Sequence, residues 1–188
     1  NAAQLRWRWG AEVPLTVRIP LGAKIRSGPF HANMIESWFM NDPGLTIVFP
    51  SNPQDAYDLL IESHEMNDPV VFLEHLGLYG LGGGKTGWGD SINQVIDTES
   101  VKKRLENNIS SIGQAKIIRG GSDLTIITWG AMVHVALKTA EELAKEDIEI
   151  EIVDLRTILP FDSSTCVESI MRTKKMIVLQ ESQYTGGL

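Results

Sequence analysis

Hydrophobic residues in the first part of the chain gather in short runs that predict β-strands. Three such runs stand out: VPLTVRIP from Val13, LTIVFP from Leu45 and PVVFLE from Pro69. The second and third are continuously apolar, which is typical of strands in a parallel sheet covered on both faces. A helical pattern separates these two runs, and Asn52 followed by Pro53 predicts its N-cap and its first position.

This predicted helix is expected to bury one face and to expose the other. The expected core face comprises apolar and small side chains, namely Ala56, Leu59, Leu60 and Ser63. The acidic side chains are expected to lie off that face, namely Asp55, Asp58 and Glu62.

A second α/β series begins at Ser122, with DLTIITWG as a strand, AMVHVALKTAEELAKE as an amphipathic helix and IEIEIVDL as the next strand. The apolar face of the helix is expected to comprise Val133, Ala136, Leu137, Ala140, Leu143 and Ala144. Its solvent face is expected to carry Lys138, Glu141, Glu142 and Lys145. Asp162 is expected to cap the helix DSSTCVESIMR, and KMIVLQES is predicted to be the last strand. A strand–helix–strand–helix–strand order implies right-handed crossovers and a parallel sheet.

The two series suggest two partial α/β units, 1–112 and 113–188, each a three-layer arrangement with a parallel sheet. Between them, residues 75–112 break the pattern: LYGLGGGKTGWG is rich in glycine and TESVKKRLENN predicts a short polar helix. We interpret this stretch as a surface insertion that leads into an interdomain linker. Neither end of the chain shows a completed unit, and the alternative is one complete, slightly irregular domain.

Composition narrows the class of protein. The 188 residues carry a net charge of −7, which excludes a global basic field for nucleic acid. RWRWG at 6–10 is therefore interpreted as an interface or a strand edge. No apolar run reaches the length of a membrane span, and the N-terminus lacks the design of a signal peptide. Cys166 is the only cysteine, so an internal disulfide is impossible and a reducing cytoplasm or matrix fits best.

Two familiar types of catalytic motif have no support. GLGGGKTG resembles a phosphate-binding P-loop, but the position that requires its first glycine is Tyr79, and no helical pattern follows Thr86. We expect a flexible loop there. A hydrolase lacks support because G-x-S-x-G is absent and Cys166 has no histidine nearby in the sequence.

The four histidines show no spacing typical of a metal site. His134 lies beside the apolar stripe of its helix and is expected to be structural. His64 lies near a helix C-terminus, where a cation or a cap is the plain interpretation. His75 follows a strand and is open to either interpretation. His31 is the best chemical candidate, because it follows Gly28-Pro29 in a loop that enters a helix.

Seven segments, in the same order along the chain, resemble one known family. They are NAAQLRW at 1–7, VRIP at 17–20, GPFH at 28–31, PGLTIVFP at 43–50 with Asp55-Ala56, DPVVFLE at 68–74, IGQAK at 112–116 and DLRTILPFD at 154–162. Together they resemble the beta subunits of the decarboxylating component of thiamine diphosphate-dependent 2-oxo acid dehydrogenase complexes. That group includes the pyruvate and branched-chain enzymes.

The resemblance implies the fold and the partners. Residues 1–112 would be the later part of a transketolase-like pyrimidine-binding domain, and 113–188 the first part of a transketolase-type C-terminal domain. In that family the cofactor lies between an alpha and a beta subunit, and the alpha subunit holds the diphosphate and its magnesium. The implied partners are an alpha subunit or alpha region, a second beta subunit and a lipoyl acyltransferase core. Nucleic acid and membranes are not implied.

The resemblance also implies the site. His31 matches the family histidine that lines the active-site channel, although Ala32-Asn33 stand where Ser-Gln is usual. The glutamate that activates the aminopyrimidine would precede Asn1, so we assign no cofactor-binding residue and no metal ligand to this chain. The parent protein is expected to use thiamine diphosphate and magnesium, whereas the 188-residue chain alone is expected to bind them weakly and to be inactive.

The expected function of the parent is to decarboxylate a 2-oxo acid and to acylate a lipoyl domain. IPLGAKIRSGPFH favours a branched-chain substrate slightly, with pyruvate next. One alternative is another transketolase-like enzyme, such as a deoxyxylulose phosphate synthase. Another is a non-catalytic oligomerisation or docking module.

Overall fold

A computed structural model describes residues 1–22, 32–79 and 94–188. The helices in these residues are α1 (Ala2–Trp9), α2 (Glu36–Phe39), α3 (Pro53–His64), α4 (Thr98–Glu106), α5 (Met132–Leu143) and α6 (Ser163–Thr173). The strands are β1 (Thr16–Leu21), β2 (Thr46–Val48), β3 (Val70–His75), β4 (Lys116–Arg119), β5 (Leu124–Thr128), β6 (Ile150–Asp154), β7 (Thr157–Leu159) and β8 (Met176–Val178). None of the described helices is long and apolar enough to cross a membrane.

The first sheet has the strand order β1-β3-β2-β7. β3 pairs in parallel with both of its neighbours, and its first four residues are buried. This confirms the three strands expected from the apolar runs. β7 was not predicted; it comes from the second half of the chain and pairs antiparallel with β2.

The second sheet has the order β4-β6-β5-β8. β5 pairs in parallel with β6 and β8, as predicted, and α5 and α6 connect these strands. β4 was not predicted and runs antiparallel at the edge beside β6. Each sheet is therefore parallel with one antiparallel strand at an edge, which is a common arrangement in α/β folds.

Two predicted helix caps are confirmed. The Asn52 side chain accepts a hydrogen bond from the Asp55 N–H at the start of α3. Asp162 accepts one from the Thr165 N–H at the start of α6. The Asp162 carboxyl also accepts from the Ala115 N–H, and, although burial opposes it, these bonds lower its pKa to about 2.

The largest apolar core joins the two sheets. The cluster combines buried side chains from both halves of the chain, namely Leu21, Met34, Ile47, Phe49, Val71, Leu73, Ile127, Trp129, Val153, Leu155, Ile158 and Cys166. Gly130 has φ +55°, and a Cβ there would lie 2.8 Å from the Phe49 ring. A residue without a side chain therefore lets the second half close over Phe49.

The predicted faces of α3 are right only in part: Leu59 and Ser63 are buried as expected, with 0% and 2% exposed. The acidic residues expected off the core face are buried, with 2% of Asp55, 5% of Asp58 and 4% of Glu62 exposed. Ala56 and Leu60 are only partly buried. Apolar spacing alone missed this, because the acidic side chains find cationic and N–H partners on later segments of the chain.

The contacts with these partners show that residues 98–112 are not the surface insertion that the sequence suggested. α4 is polar, as predicted, but Val101 is 1% exposed and Arg104 Nη2 lies 2.6 Å from Asp58 Oδ2. Beyond α4, Glu62 Oε2 accepts hydrogen bonds from the backbone N–H groups of Ser111 and Ile112 at 2.6 and 3.3 Å. This segment is packed on α3 rather than lying loosely on the surface. The glycine-rich part of the predicted insertion, 80–93, lies outside the described residues.

Candidate functional site

The carboxyl ends of β1, β2 and β3 meet at one edge of the first sheet. Ligands of open α/β sheets bind at such an edge. A cavity of about 200 Å³ opens there. It is lined by the segment after β2, the start of α3 and the end of β3, namely Pro50, Ser51, Asn52, Pro53, Ala56, Glu74, His75, Leu78 and Tyr79.

His75 ends β3 and is 2% exposed. Its Nδ1 accepts a hydrogen bond from the Gly77 N–H at 3.0 Å, so the ring proton lies on Nε2. Nε2 therefore donates to Glu181 Oε2, 2.8 Å away in the second half of the chain. The two bonds fix both the tautomer and the plane of the ring.

Gly22 follows β1 and lies directly against this ring. Its φ is +102°, and a Cβ at this position would come within 2.3 Å of His75 Nε2. Both the backbone conformation and the close approach require glycine. The last described residue before 23–31 is thus held against His75.

Glu36 begins α2 and has no exposed surface. Its Oε1 accepts a hydrogen bond from Trp129 Nε1 at 3.4 Å, whereas its Oε2 has no partner among the described residues. Burial first, and then the charge of Glu181, raise the pKa of the Glu36 carboxyl, while the bonds from its own backbone N–H and from Trp129 oppose that rise. Such a carboxyl can hold a proton at a higher pH than an exposed one.

Glu74 lies on the rim of the cavity. It accepts from Arg18, whose Nη2 lies 2.6 Å from Glu74 Oε1, and from the Tyr79 hydroxyl. Burial and the bond to Glu74 raise the pKa of Tyr79 to about 12, so the phenol remains protonated and donates. The rim is thus polar and its charges are paired.

A second polar cluster lies beneath the cavity, where the two halves of the chain meet. Ser51 Oγ donates to Asp154 Oδ2 at 2.5 Å, and the Arg156 N–H donates to Asp154 Oδ1 at 3.0 Å. The Arg156 side chain donates to Asp55 Oδ1 at 3.0 Å and to the Gln114 carbonyl at 2.8 Å. Burial, reinforced by the charge of Asp55, raises the pKa of Asp154 to about 7.

These groups can position a ligand and exchange protons, but a metal centre has no support among them. Within the ranges that the structure describes, no group of three or more His, Cys, Asp or Glu side chains could hold a metal ion. Two buried carboxyls, Glu36 and Asp154, have raised pKa values at the junction of the halves. Perturbed carboxyls are typical of functional sites, although buried structural networks produce them too.

The predicted catalytic residue, His31, lies outside the described residues, as do Lys85 and Thr86 of the glycine-rich loop. His64 ends α3 and is exposed. His134 Nε2 donates to the Ser51 carbonyl at 2.7 Å, a contact that fits a structural role.

Sequence reasoning left His75 undecided and missed Glu36, Asp154 and Glu181. A signal for Asp154 was available, because this acidic residue ends β6 directly between the apolar residues Val153 and Leu155. Glu36 follows Met34 and Ile35 at a helix start, and only the tertiary contact with Trp129 reveals its burial.

Comparison with known proteins gives this geometry a context. Residues 1–80 match the model of the transketolase pyrimidine-binding domain, and residues 113–188 match that of the transketolase C-terminal domain. The chain is 40% identical over 188 residues to the pyruvate dehydrogenase E1 component subunit beta of Bacillus subtilis, covering 99% of this chain and 53% of the relative. The chain carries the pyrimidine-binding and C-terminal domains of the transketolase family.

Other pyruvate dehydrogenase E1 beta subunits match over the same span. The corresponding subunits of Staphylococcus epidermidis and Staphylococcus aureus are 38% and 39% identical, again over 99% of this chain and 53% of each relative. The chain therefore spans about half the length of the curated relatives it matches.

Solved structures share the fold. A split-gene transketolase, described as an inactive beta4 tetramer, superposes with a TM-score of 0.68 at 19% identity, covering 100% of this chain and 57% of that one. A transketolase mutant from Pichia stipitis gives 0.65 at 15% identity, covering 93% and 24%. These similarities support the α/β architecture with two sheets dominated by parallel strands.

Proposed function

We propose that this chain forms part of the beta subunit of a thiamine diphosphate-dependent 2-oxo acid dehydrogenase. The parent protein decarboxylates a 2-oxo acid and transfers the acyl group to a lipoyl domain. The observation that carries the proposal is the 40% identity over 188 residues to a pyruvate dehydrogenase E1 beta subunit. The division into units 1–112 and 113–188 belongs to the same proposal, and the matches to 1–80 and 113–188 support it.

The partners in this proposal are an alpha subunit, a second beta subunit and an acyltransferase core. The cofactor supplies the electron sink for decarboxylation when it is bound. The family resemblance implies that the alpha subunit would hold its diphosphate and magnesium. This chain's own contribution is the carboxyl edge of the first sheet, where Gly22, His75 and Glu36 are fixed against the second half.

His31 is the residue that we propose to act on the substrate. It follows Gly22 by nine positions, and Gly22 lies at the carboxyl end of a parallel strand. A neutral imidazole in that region can hydrogen-bond a substrate carboxylate or exchange a proton near neutral pH.

The relatives are named for pyruvate, so pyruvate is the first substrate to assay and a branched-chain 2-oxo acid the second. The complete beta subunit, assembled with its alpha subunit, is compared with its His31→Ala and His64→Ala variants. His64 is exposed at the end of α3 and serves as the matched control. Loss of a positioned proton-transfer group typically costs about 10²- to 10⁴-fold in rate. His31→Ala should show that loss in decarboxylation or lipoyl acylation, and His64→Ala should not. Equal rates for the two variants would remove His31 from the proposal.

A further inference from the structure

Polar side chains from both halves of the chain meet in the interior beside Gly22. His75 ends β3 and Glu36 begins α2, both in the first half. Trp129 follows β5 and Glu181 follows β8, both in the second half. The bonds His75 Nε2–Glu181 Oε2 and Trp129 Nε1–Glu36 Oε1 join the two halves at 2.8 and 3.4 Å.

We propose that His75, Glu181, Glu36 and Trp129 form a buried polar joint that sets the end of β1 and the start of α2 against the second half. Glu181 and His75 are positioning residues rather than catalytic ones. The expected effect of the joint on turnover rests on the proposed function. Its expected effect on the structure is independent of that function.

The burial of these groups supports a positioning role. Three of the four side chains have little or no exposure: 0% for Glu36, 2% for His75 and 3% for Trp129. Buried ionisable groups are weak contributors to stability, because desolvation offsets much of their attraction. Directional bonds such as those of His75 with Glu181 and of Trp129 with Glu36 instead select one arrangement of the elements that carry them.

The joint contacts the described residues on either side of 23–31, namely Gly22 and the start of α2. Gly22 is held in contact with the His75 ring, where any Cβ would overlap Nε2. Glu36 begins the helix that follows Ala32–Ile35 and is held by Trp129. Residues 23–31, including His31, are covalently attached between these two fixed points. Movement of the His75 ring would therefore displace Gly22, to which residue 23 is bonded.

Limited proteolysis of the complete assembled protein tests the structural part. Trypsin can cut after Lys24 and Arg26 within the segment, and after Lys138 on α5 and Lys145 just beyond it. Glu181→Ala and His75→Leu should accelerate cleavage at the first pair of sites, about tenfold or more, relative to the second pair. His75→Gln keeps a donor at the Nε2 position, and Glu181→Gln keeps an acceptor. Both conservative variants should restore cleavage towards the wild-type pattern.

Steady-state kinetics tests the effect on turnover. Misplacing a reacting group by about 1 Å costs about 100-fold, so Glu181→Ala should lower kcat by roughly 10- to 100-fold with little change in KM. Glu168→Ala, an exposed residue on α6, is the matched control and should leave kcat unchanged.

The outcomes separate the two proposals. Selective cleavage at Lys24 and Arg26, reversed by the conservative variants, supports the joint. Equal acceleration at all four sites, or none, overturns it. An inactive wild-type assembly overturns the proposed function and leaves the joint to be decided by proteolysis. An active assembly in which Glu181→Ala keeps its kcat overturns the positioning role.

Discussion

Ser51 donates a hydrogen bond to Asp154 over 2.5 Å, although 103 positions separate the two residues. Ser51 follows β2 in the first sheet and Asp154 ends β6 in the second. Asp154 has no exposed surface, and burial raises its pKa to about 7. A carboxyl that titrates near neutral pH therefore lies at the junction of the two sheets.

This pKa predicts a pH dependence of stability. The pKa of Asp154 is higher in the folded chain than the value of about 4 expected after unfolding, so its protonated form favours the folded state. Its contribution is fully favourable below about pH 4 and is lost as the pH rises to about 7, by at most about 1.4 kcal/mol per pH unit. Asp154→Asn should flatten this slope in the free energy of unfolding, measured by urea titration across that range. Asp42→Asn, at an exposed position, is the control; the same slope in Asp154→Asn as in the wild type would contradict the assignment.

Replacing the guanidinium of Arg156 is expected to lower the free energy of unfolding substantially. It is 8% exposed, and it bonds both Asp55 and the Gln114 carbonyl. Lysine cannot reproduce this planar set of donors, so Arg156→Lys should remove the guanidinium donor from Asp55 Oδ1 and leave the Asp55 carboxylate with the Asn52 amide alone. Breaking a buried pair typically costs about 3–5 kcal/mol, and this is the expected loss in the free energy of unfolding. Arg8→Lys, on the exposed part of α1, should change it by less than about 0.5 kcal/mol. Similar losses for the two variants would refute this role.

The stability of the chain is expected to depend strongly on the size of the side chain at position 22. Gly22→Ala places a methyl group on the His75 ring at a φ of +102°, so both strain and overlap oppose it. The expected loss in the free energy of unfolding exceeds about 2 kcal/mol. Gly120→Ala is the matched control, because nothing lies within 4 Å of its Cβ position. A melting temperature for Gly22→Ala equal to that of Gly120→Ala would show that the His75 ring is not where the structure places it.

The Glu62 carboxylate is expected to stabilise residues 110–112, the segment that leads into the second half of the chain. Glu62→Ala removes the acceptor of the Ser111 N–H, and an unsatisfied buried donor costs about 1–3 kcal/mol. The Ile112 N–H keeps its bond to Ser110 Oγ at 3.0 Å, so hydrogen exchange should accelerate most at the Ser111 amide, along with the fall in stability. Glu65→Ala, just past α3 and exposed, should do neither. Protection that persists at Ser111 in Glu62→Ala would contradict this contact.

The sequence was most informative where structure is local. The caps at Asn52 and Asp162, the apolar runs of β2 and β3 and the two faces of α5 follow from patterns spanning a few residues. The antiparallel strands β4 and β7 escaped prediction, because each is short and its pairing depends on a strand from another part of the chain. The buried acids of α3 escaped for a related reason: Arg104, Arg156 and Ser111 lie 42 or more positions away along the chain.

The residues of the candidate site also fall into those that the sequence indicates and those that only the structure reveals. His31 was selected from its loop-to-helix position and a family resemblance, and it remains a prediction. His75, Glu36 and Glu181 emerge only when distant segments meet, because no spacing in the sequence relates them.

The central claim is that this chain works as part of a beta subunit that needs an alpha subunit. The most direct measurement is the rate of 2-oxo acid decarboxylation with thiamine diphosphate and magnesium, for the 188-residue chain alone and for the complete beta subunit with and without its alpha subunit. Pyruvate and a branched-chain 2-oxo acid are each assayed. We expect turnover only when the complete beta subunit and the alpha subunit are both present. Decarboxylation by the 188-residue chain alone, or an assembly that is inactive on every 2-oxo acid tested, would contradict the account.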